Sequence, residues 1–101
     1  MKKSILFICE TGISAALFVS KMLETLHQHE LDFDVDYAPV SRVEEKLAAK
    51  DYTVILLSPQ VHRYDDTLKE IILKDGKEVN LVDITEEEFA SMNVNRILAR
   101  I

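Results

Sequence analysis

The chain is poor in punctuation and in sulfur. It has two glycines, two prolines, one cysteine and no tryptophan among 101 residues. Few Gly and Pro, with 48% hydrophobic and 30% charged residues, exclude a low-complexity or linker-like chain and describe an ordered globular one. A single cysteine excludes an internal disulfide and agrees with a reducing compartment. Apolar runs are broken well short of the ~20 residues that a membrane-spanning helix needs, and the basic start Met1-Lys2-Lys3 leads into a short apolar run with no small-residue cleavage site. The expectation is one soluble domain over residues 1–101, located in the cytoplasm. Net charge is −6, with no Lys/Arg cluster and no interleaved aromatics, so nucleic acid is not an expected partner. Without cysteine partners or ligand spacing among the histidines and carboxylates, no metal site is expected.

What is present alternates. Ser4 to Ile8 reads as a buried strand, and Ile13 to His29 as a helix with Leu17, Phe18, Met22, Leu23 and Leu26 on one face. Asp32 to Tyr37 alternates polar and apolar like an outer strand, and Ser41-Arg-Val-Glu44 has capping-box form ahead of a helix carrying Val43, Leu47 and Ala48. Tyr52 to Leu57 is a β-branched, apolar run expected of a central parallel strand, ended by Pro59. A helix with Leu68, Ile71, Ile72 and Leu73 follows, then an Asp75-Gly76 turn and a strand from Val79 to Val82. Thr85-Glu-Glu-Glu88 is a second capping box, opening one closing helix with Phe89, Ile97 and Leu98.

Strands alternating with helices require parallel pairing and right-handed crossovers, so the expected fold is α/β: a three-layer doubly wound sandwich with a four-stranded parallel sheet in order 2-1-3-4. Ligands bind such sheets outside the carboxyl ends of strands, where the winding reverses. Between the first and third strands that point brings Cys9-Glu10-Thr11-Gly12-Ile13-Ser14 opposite Ser58-Pro59-Gln60-Val61-His62.

Cys9 is the candidate centre of chemistry. A strand running through a glycine turn into a helix aims unpaired amides and a positive dipole end at one point, where a thiol is expected to ionise easily. Amides from about Thr11 to Ala15 would cradle a phosphoryl group, Gly12 permits close approach, and the Ser14 hydroxyl caps the helix or donates. Glu10 opposes both thiolate and phosphate and is expected to point to solvent. The bland alternative, a small buried hydrophobe, weighs about equally on spacing alone. Pro59 is a strand terminator and a wall of the crevice. Gln60 donates to phosphate or ties the loops together, and His62 touches phosphate or is an ordinary loop residue. Arg63 is a rim cation or a solvated arginine, and His27 and His29 are surface residues. Ile13, Phe18 or Val61 would lend apolar surface for docking, with core packing favoured for Phe18.

Ile8-Cys-Glu-Thr-Gly-Ile-Ser-Ala-Ala-Leu-Phe-Val-Ser-Lys-Met22, together with Val54-Ile-Leu-Leu-Ser-Pro-Gln-Val61, resembles the IIB components of the lactose/cellobiose (chitobiose) family of the bacterial sugar phosphotransferase system, over essentially the whole chain. The resemblance implies a protein-phosphohistidine–sugar phosphotransferase component without a cofactor. Cys9 would take a phosphoryl group from the phosphohistidine of IIA and pass it to a sugar imported through the membrane component IIC, with the loop from Glu10 to Ala15 as the cradle. Such a protein works in the cytoplasm, transiently at the inner face of the membrane. Two positions depart from the family pattern. Glu10 stands where a small residue is usual, and Tyr64 falls one place later than the aromatic that often follows Pro-Gln.

Two other readings share parts of this pattern. A low-molecular-weight tyrosine phosphatase needs Cys-x5-Arg, but Ala15 occupies the arginine position, so the bidentate grip on phosphate is missing. A flavodoxin-like FMN-binding module is the alternative function, since Cys9-x-Thr11-Gly12-x-Ser14 resembles a hydroxyl-rich phosphate loop. It would need ring-stacking aromatics, and only Tyr64 is well placed.

Overall fold

In the computed structural model the described residues are 3–10, 13–76 and 78–101, with the side chains of Ile13 and Ser14 set aside. Four strands, β1 (Ser4–Ile8), β2 (Asp34–Ala38), β3 (Val54–Leu57) and β4 (Asn80–Asp83), form one sheet in order β2-β1-β3-β4. All three pairings are parallel, with Ile8 opposite Ala38 and Leu57, and Leu57 opposite Asp83. The helices are α1 (Ile13–Gln28), α2 (Val43–Ala49), α3 (Asp65–Asp75), α4 (Glu86–Ala90) and α5 (Val94–Leu98). This is the expected doubly wound sandwich with the expected strand order.

Alternation along the two central strands divides the core. Ile5, Phe7, Val54 and Leu56 face one layer with Phe18 and Met22 of α1 and Val94 and Ile97 of α5. Leu6, Ile8, Ile55 and Leu57 face the other, with Val43 and Leu47 of α2 and Leu68 of α3. Both faces of β1 and β3 are therefore buried, which is why these runs are continuously apolar. Phe18 stacks on Phe7 with ring centroids 4.8 Å apart and lies 5.3 Å from Phe89.

Several local expectations are corrected. The buried stripe of α1 is Ala15, Phe18, Val19, Met22 and Leu26, while Leu17 and Leu23 are exposed; the contact with the sheet is narrower than the apolar content of the helix. On α3, Leu68 is the buried anchor and Leu73 is 82% exposed. Ala48 on α2 is also exposed. The Ser41 capping box does not form, because Val40–Arg42 already makes a 3-10 turn and Arg42 stands at the N-cap of α2 without a side-chain cap. Val61 is fully buried beneath α2 and α3 and offers no docking surface.

The second capping box does form. Thr85 Oγ1 accepts from the Glu88 amide at 3.1 Å and Glu88 Oε1 accepts from the Thr85 amide at 3.0 Å. The closing helix, however, is two short ones: Met92 takes a left-handed φ of 52° between them, and the Asn93 side chain caps the second by accepting from the Arg96 amide. Gly76 caps α3 at φ 74°, a conformation that asks for glycine.

Candidate functional site at the carboxyl ends of β1 and β3

Beyond Leu57 the chain does not enter a free loop. Ser58 remains extended, Pro59 begins a 3-10 stretch over Pro59–Tyr64, and this continues directly into α3. Proline suits the first position of such a turn, since its missing N–H would have no partner there. The Pro59–Tyr64 turn thereby stands beside the end of β1, at the reversal of winding.

Cys9 follows β1, its amide donating to Ala38 O at 3.1 Å. The side chain packs in the α1-facing layer and is 1% exposed. Burial pushes the thiol up to about 11, because a thiolate would lose its hydration among apolar neighbours. This corrects the expectation of an easily ionised thiol. Burial thus favours the protonated thiol at neutral pH.

Glu10 turns its carboxylate to Arg63 on the 3-10 stretch, with Arg63 Nη2 donating to Glu10 Oε1. The two side chains are 43% and 66% exposed. The guanidinium also lies over the Tyr64 ring, 4.9 Å from its centroid. Arg63 is therefore engaged rather than simply solvated, and it neutralises the carboxylate of the residue that follows Cys9. An open groove of ≈ 410 Å³ lies here, lined by Glu10, Pro39, Val40, Ser41, Arg63 and Tyr64.

The other sequence candidates divide. Ala15 is buried in the first turn of α1, and Ile13 and Ser14 are the first residues of that helix. Thr11 and Gly12 lie outside the described residues. Pro59 is half-buried and Gln60 exposed. His62 is exposed and its Nε2 sits 3.9 Å from Asp83 Oδ1 at the end of β4, so it belongs to the outer side of the crevice. His29 Nε2 lies 3.1 Å from Asn95 Oδ1. Among the described residues no group of three or more His, Cys, Asp or Glu could hold a metal ion, and no helix is long and apolar enough to cross a membrane.

The family model described as "PTS system, Lactose/Cellobiose specific IIB subunit" matches residues 4–100. The chain belongs to that family. As a lactose/cellobiose-type IIB subunit it is a component of a sugar-transporting phosphotransferase system, and this sets the flavin-module reading aside. The fold agrees. The lactose-specific IIB component domain from Streptococcus pneumoniae superposes with a TM-score of 0.79 at 16% identity, covering 99% of this chain and 98% of that one. The cellobiose-specific IIB component protein from Borrelia burgdorferi superposes with a TM-score of 0.74 at 21% identity, covering 98% of this chain and 87% of that one. No curated protein sequence matches this IIB chain.

The sequence reading gave no role to Ser58, which proves to be fully buried beside the end of β1. Its signal was available, since the alternation of β3 carries one residue past Leu57.

Proposed function

We propose that this IIB chain is a phosphocysteine carrier, taking a phosphoryl group from the phosphohistidine of a IIA protein onto Cys9 and delivering it to a β-linked disaccharide or β-glucoside entering through a IIC permease. It would do so in the cytoplasm, docking transiently at the inner face of the membrane, as a single domain spanning residues 1–101. The observation that carries the reading is the placement of Cys9: the chain's one sulfur nucleophile follows β1 at the reversal of winding and precedes the N-terminus of α1.

The chemistry follows from that placement. Sulfur attacks phosphorus, the S–P bond forms as the P–N bond to the donor histidine breaks, and the thiol proton ends on the released ring nitrogen. In the second transfer a sugar hydroxyl oxygen attacks phosphorus, the S–P bond breaks, and the hydroxyl proton returns to sulfur. Amides of residues 11–15 would hold the phosphoryl oxygens, those from Ile13 onward because the first-turn amides of a helix have no partners within it. No arginine occupies the position of Ala15, so the grip that stabilises hydrolytic attack in Cys-x5-Arg phosphatases is absent and the phosphoryl group is kept for an acceptor. The raised thiol makes attack conditional: the proton stays on Cys9 until a donor brings both an electrophile and a base.

Incubation with phosphorylated IIA encoded beside this gene, followed by intact-mass measurement, tests the reading. Wild type should gain one phosphoryl group and Cys9→Ser none. Equal phosphorylation of both proteins, or of neither, overturns it.

A further inference from the structure

Ser58 stands one residue past β3 in extended backbone, at φ −69° and ψ 156°. Its amide donates to Ile8 O at 3.0 Å, the bond that closes the last pair of the ladder, Ile8↔Leu57. Successive residues of a strand face opposite sides of the sheet, and register partners share a side. Phe7 and Leu56 face the α1 layer, whereas Ile8 and Leu57 face the α2 layer. The alternation extended by one residue on each strand puts Cys9 and Ser58 on the α1 side, and Cys9 indeed packs in the α1 layer. The two side chains therefore rise from adjacent strands on the same face, at the reacting end of the sheet.

Ser58 is 0% exposed, and among the described residues its Oγ has no hydrogen-bond partner. A serine before a helical turn ordinarily caps it by accepting from an amide of the first turn. Ser58 makes no such side-chain bond, and only its carbonyl serves the turn, accepting from the Val61 amide at 3.1 Å. Buried hydroxyls almost always find a partner, and one left without is costly. No base is bonded to it either, so it has no means of acting as a nucleophile. What it retains is an unused O–H donor one residue past the end of β3.

We propose that Ser58 Oγ is the side-chain donor for a phosphoryl oxygen of the group carried on Cys9. This rests on the carrier reading above. Its partner arrives with the phosphoryl group, so the hydroxyl is unsatisfied in the resting protein and satisfied in the phosphorylated one. It keeps its own proton throughout. Hydrogen bonds to charged acceptors are the strong ones, and this one would favour phosphocysteine over the free thiol, setting how far IIA drives the transfer.

The test compares wild type with Ser58→Ala, each equilibrated with phosphorylated IIA, the phosphorylated fraction read by intact mass and the unphosphorylated proteins melted in parallel. In Ser58→Ala the transfer equilibrium should shift toward IIA by about tenfold or more, while the melting temperature of the unphosphorylated protein stays level or rises, because an orphaned polar atom has been removed. An unchanged equilibrium overturns the proposal, and so does a shifted equilibrium accompanied by a lower melting temperature, which marks a structural role. Wild type that takes no phosphoryl group at all fails the carrier reading first, and this proposal falls with it.

Discussion

Arg63 reaches across from the 3-10 stretch to the carboxylate of Glu10, the residue immediately after Cys9. A negative charge there opposes an incoming phosphoryl group by about 1 kcal/mol at 4 Å in water, or roughly fivefold in rate. Pairing with Arg63 offsets it. The ion pair thus balances the charge that glutamate brings beside Cys9.

Removing the guanidinium should uncover that repulsion. Arg63→Ala is expected to accept phosphate from IIA about fivefold more slowly, and Glu10→Gln/Arg63→Ala to recover most of the loss. Thermal stability should move by less than about 1 kcal/mol, since both side chains are largely exposed. A double variant as slow as the single one would show that Arg63 acts on the partner instead of on Glu10.

Burial of Cys9 makes a second expectation. Alkylation of the native protein by iodoacetamide at pH 7.5 should run at least ~100-fold slower than for a free thiol, and its rate should keep climbing toward pH 11, with no plateau near ~8.5. Stability carries the same signature. The folded thiol titrates near 11, above its unfolded value, so its contribution is complete below about pH 8.5 and is lost as pH rises through 11. Melting curves of wild type and Cys9→Ser should therefore converge at high pH. A rate plateau by pH 9 would contradict the buried, protonated thiol.

Glu88 is a charged residue of the interior, 1% exposed. Burial disfavours its charge, yet hydrogen bonding to Thr85 and the charges of Arg100 and Arg96 outweigh this and hold its carboxyl below the usual range. Arg100 Nη2 donates to Glu88 Oε1 at 2.7 Å. A depressed carboxyl stabilises above its unfolded pKa of ~4.3 and loses that contribution as pH falls through the folded value. Glu88→Ala should cost about 2 kcal/mol in urea unfolding at pH 7, with the difference from wild type shrinking below about pH 4. A constant difference down to pH 3 would show that packing, and not charge, is what the variant removes.

Phe18 ties α1 to the sheet through Phe7 and Phe89. Phe18→Ala should lower unfolding free energy by about 3–5 kcal/mol, a large share of the ~5–15 typical of a small domain. Phe18→Leu should cost less than half of that. A loss under ~1 kcal/mol in the alanine variant would mean the aromatic cluster collapses to fill the space.

Strand order was legible because the central strands, buried on both faces, are continuous apolar runs, while β2 at the edge alternates. The position of Cys9 was legible for the same reason, but its state was not. Proximity to a helix start argued for a thiolate; sheet register turned the sulfur into the α1 layer, and desolvation decides its proton. The break at Met92 escaped because left-handed backbone in a non-glycine residue has no composition signal, although Asn93 ahead of Val94 was a readable cap. Arg63 was weighed as a rim cation, but its pairing with Glu10 escaped because the turn that aims it there is set by Pro59 and by the anchoring of Val61. Leu23 and Leu73 were misplaced for a simpler reason: leucine favours helix whether or not it meets a partner.

The spiral that begins at Pro59 runs without interruption into α3, which Leu68 bolts to the layer behind the sheet. The turn bearing Gln60, His62 and Arg63 is thus the capped end of a strut and not a flap. A force applied to this lip is therefore carried into the whole rear layer.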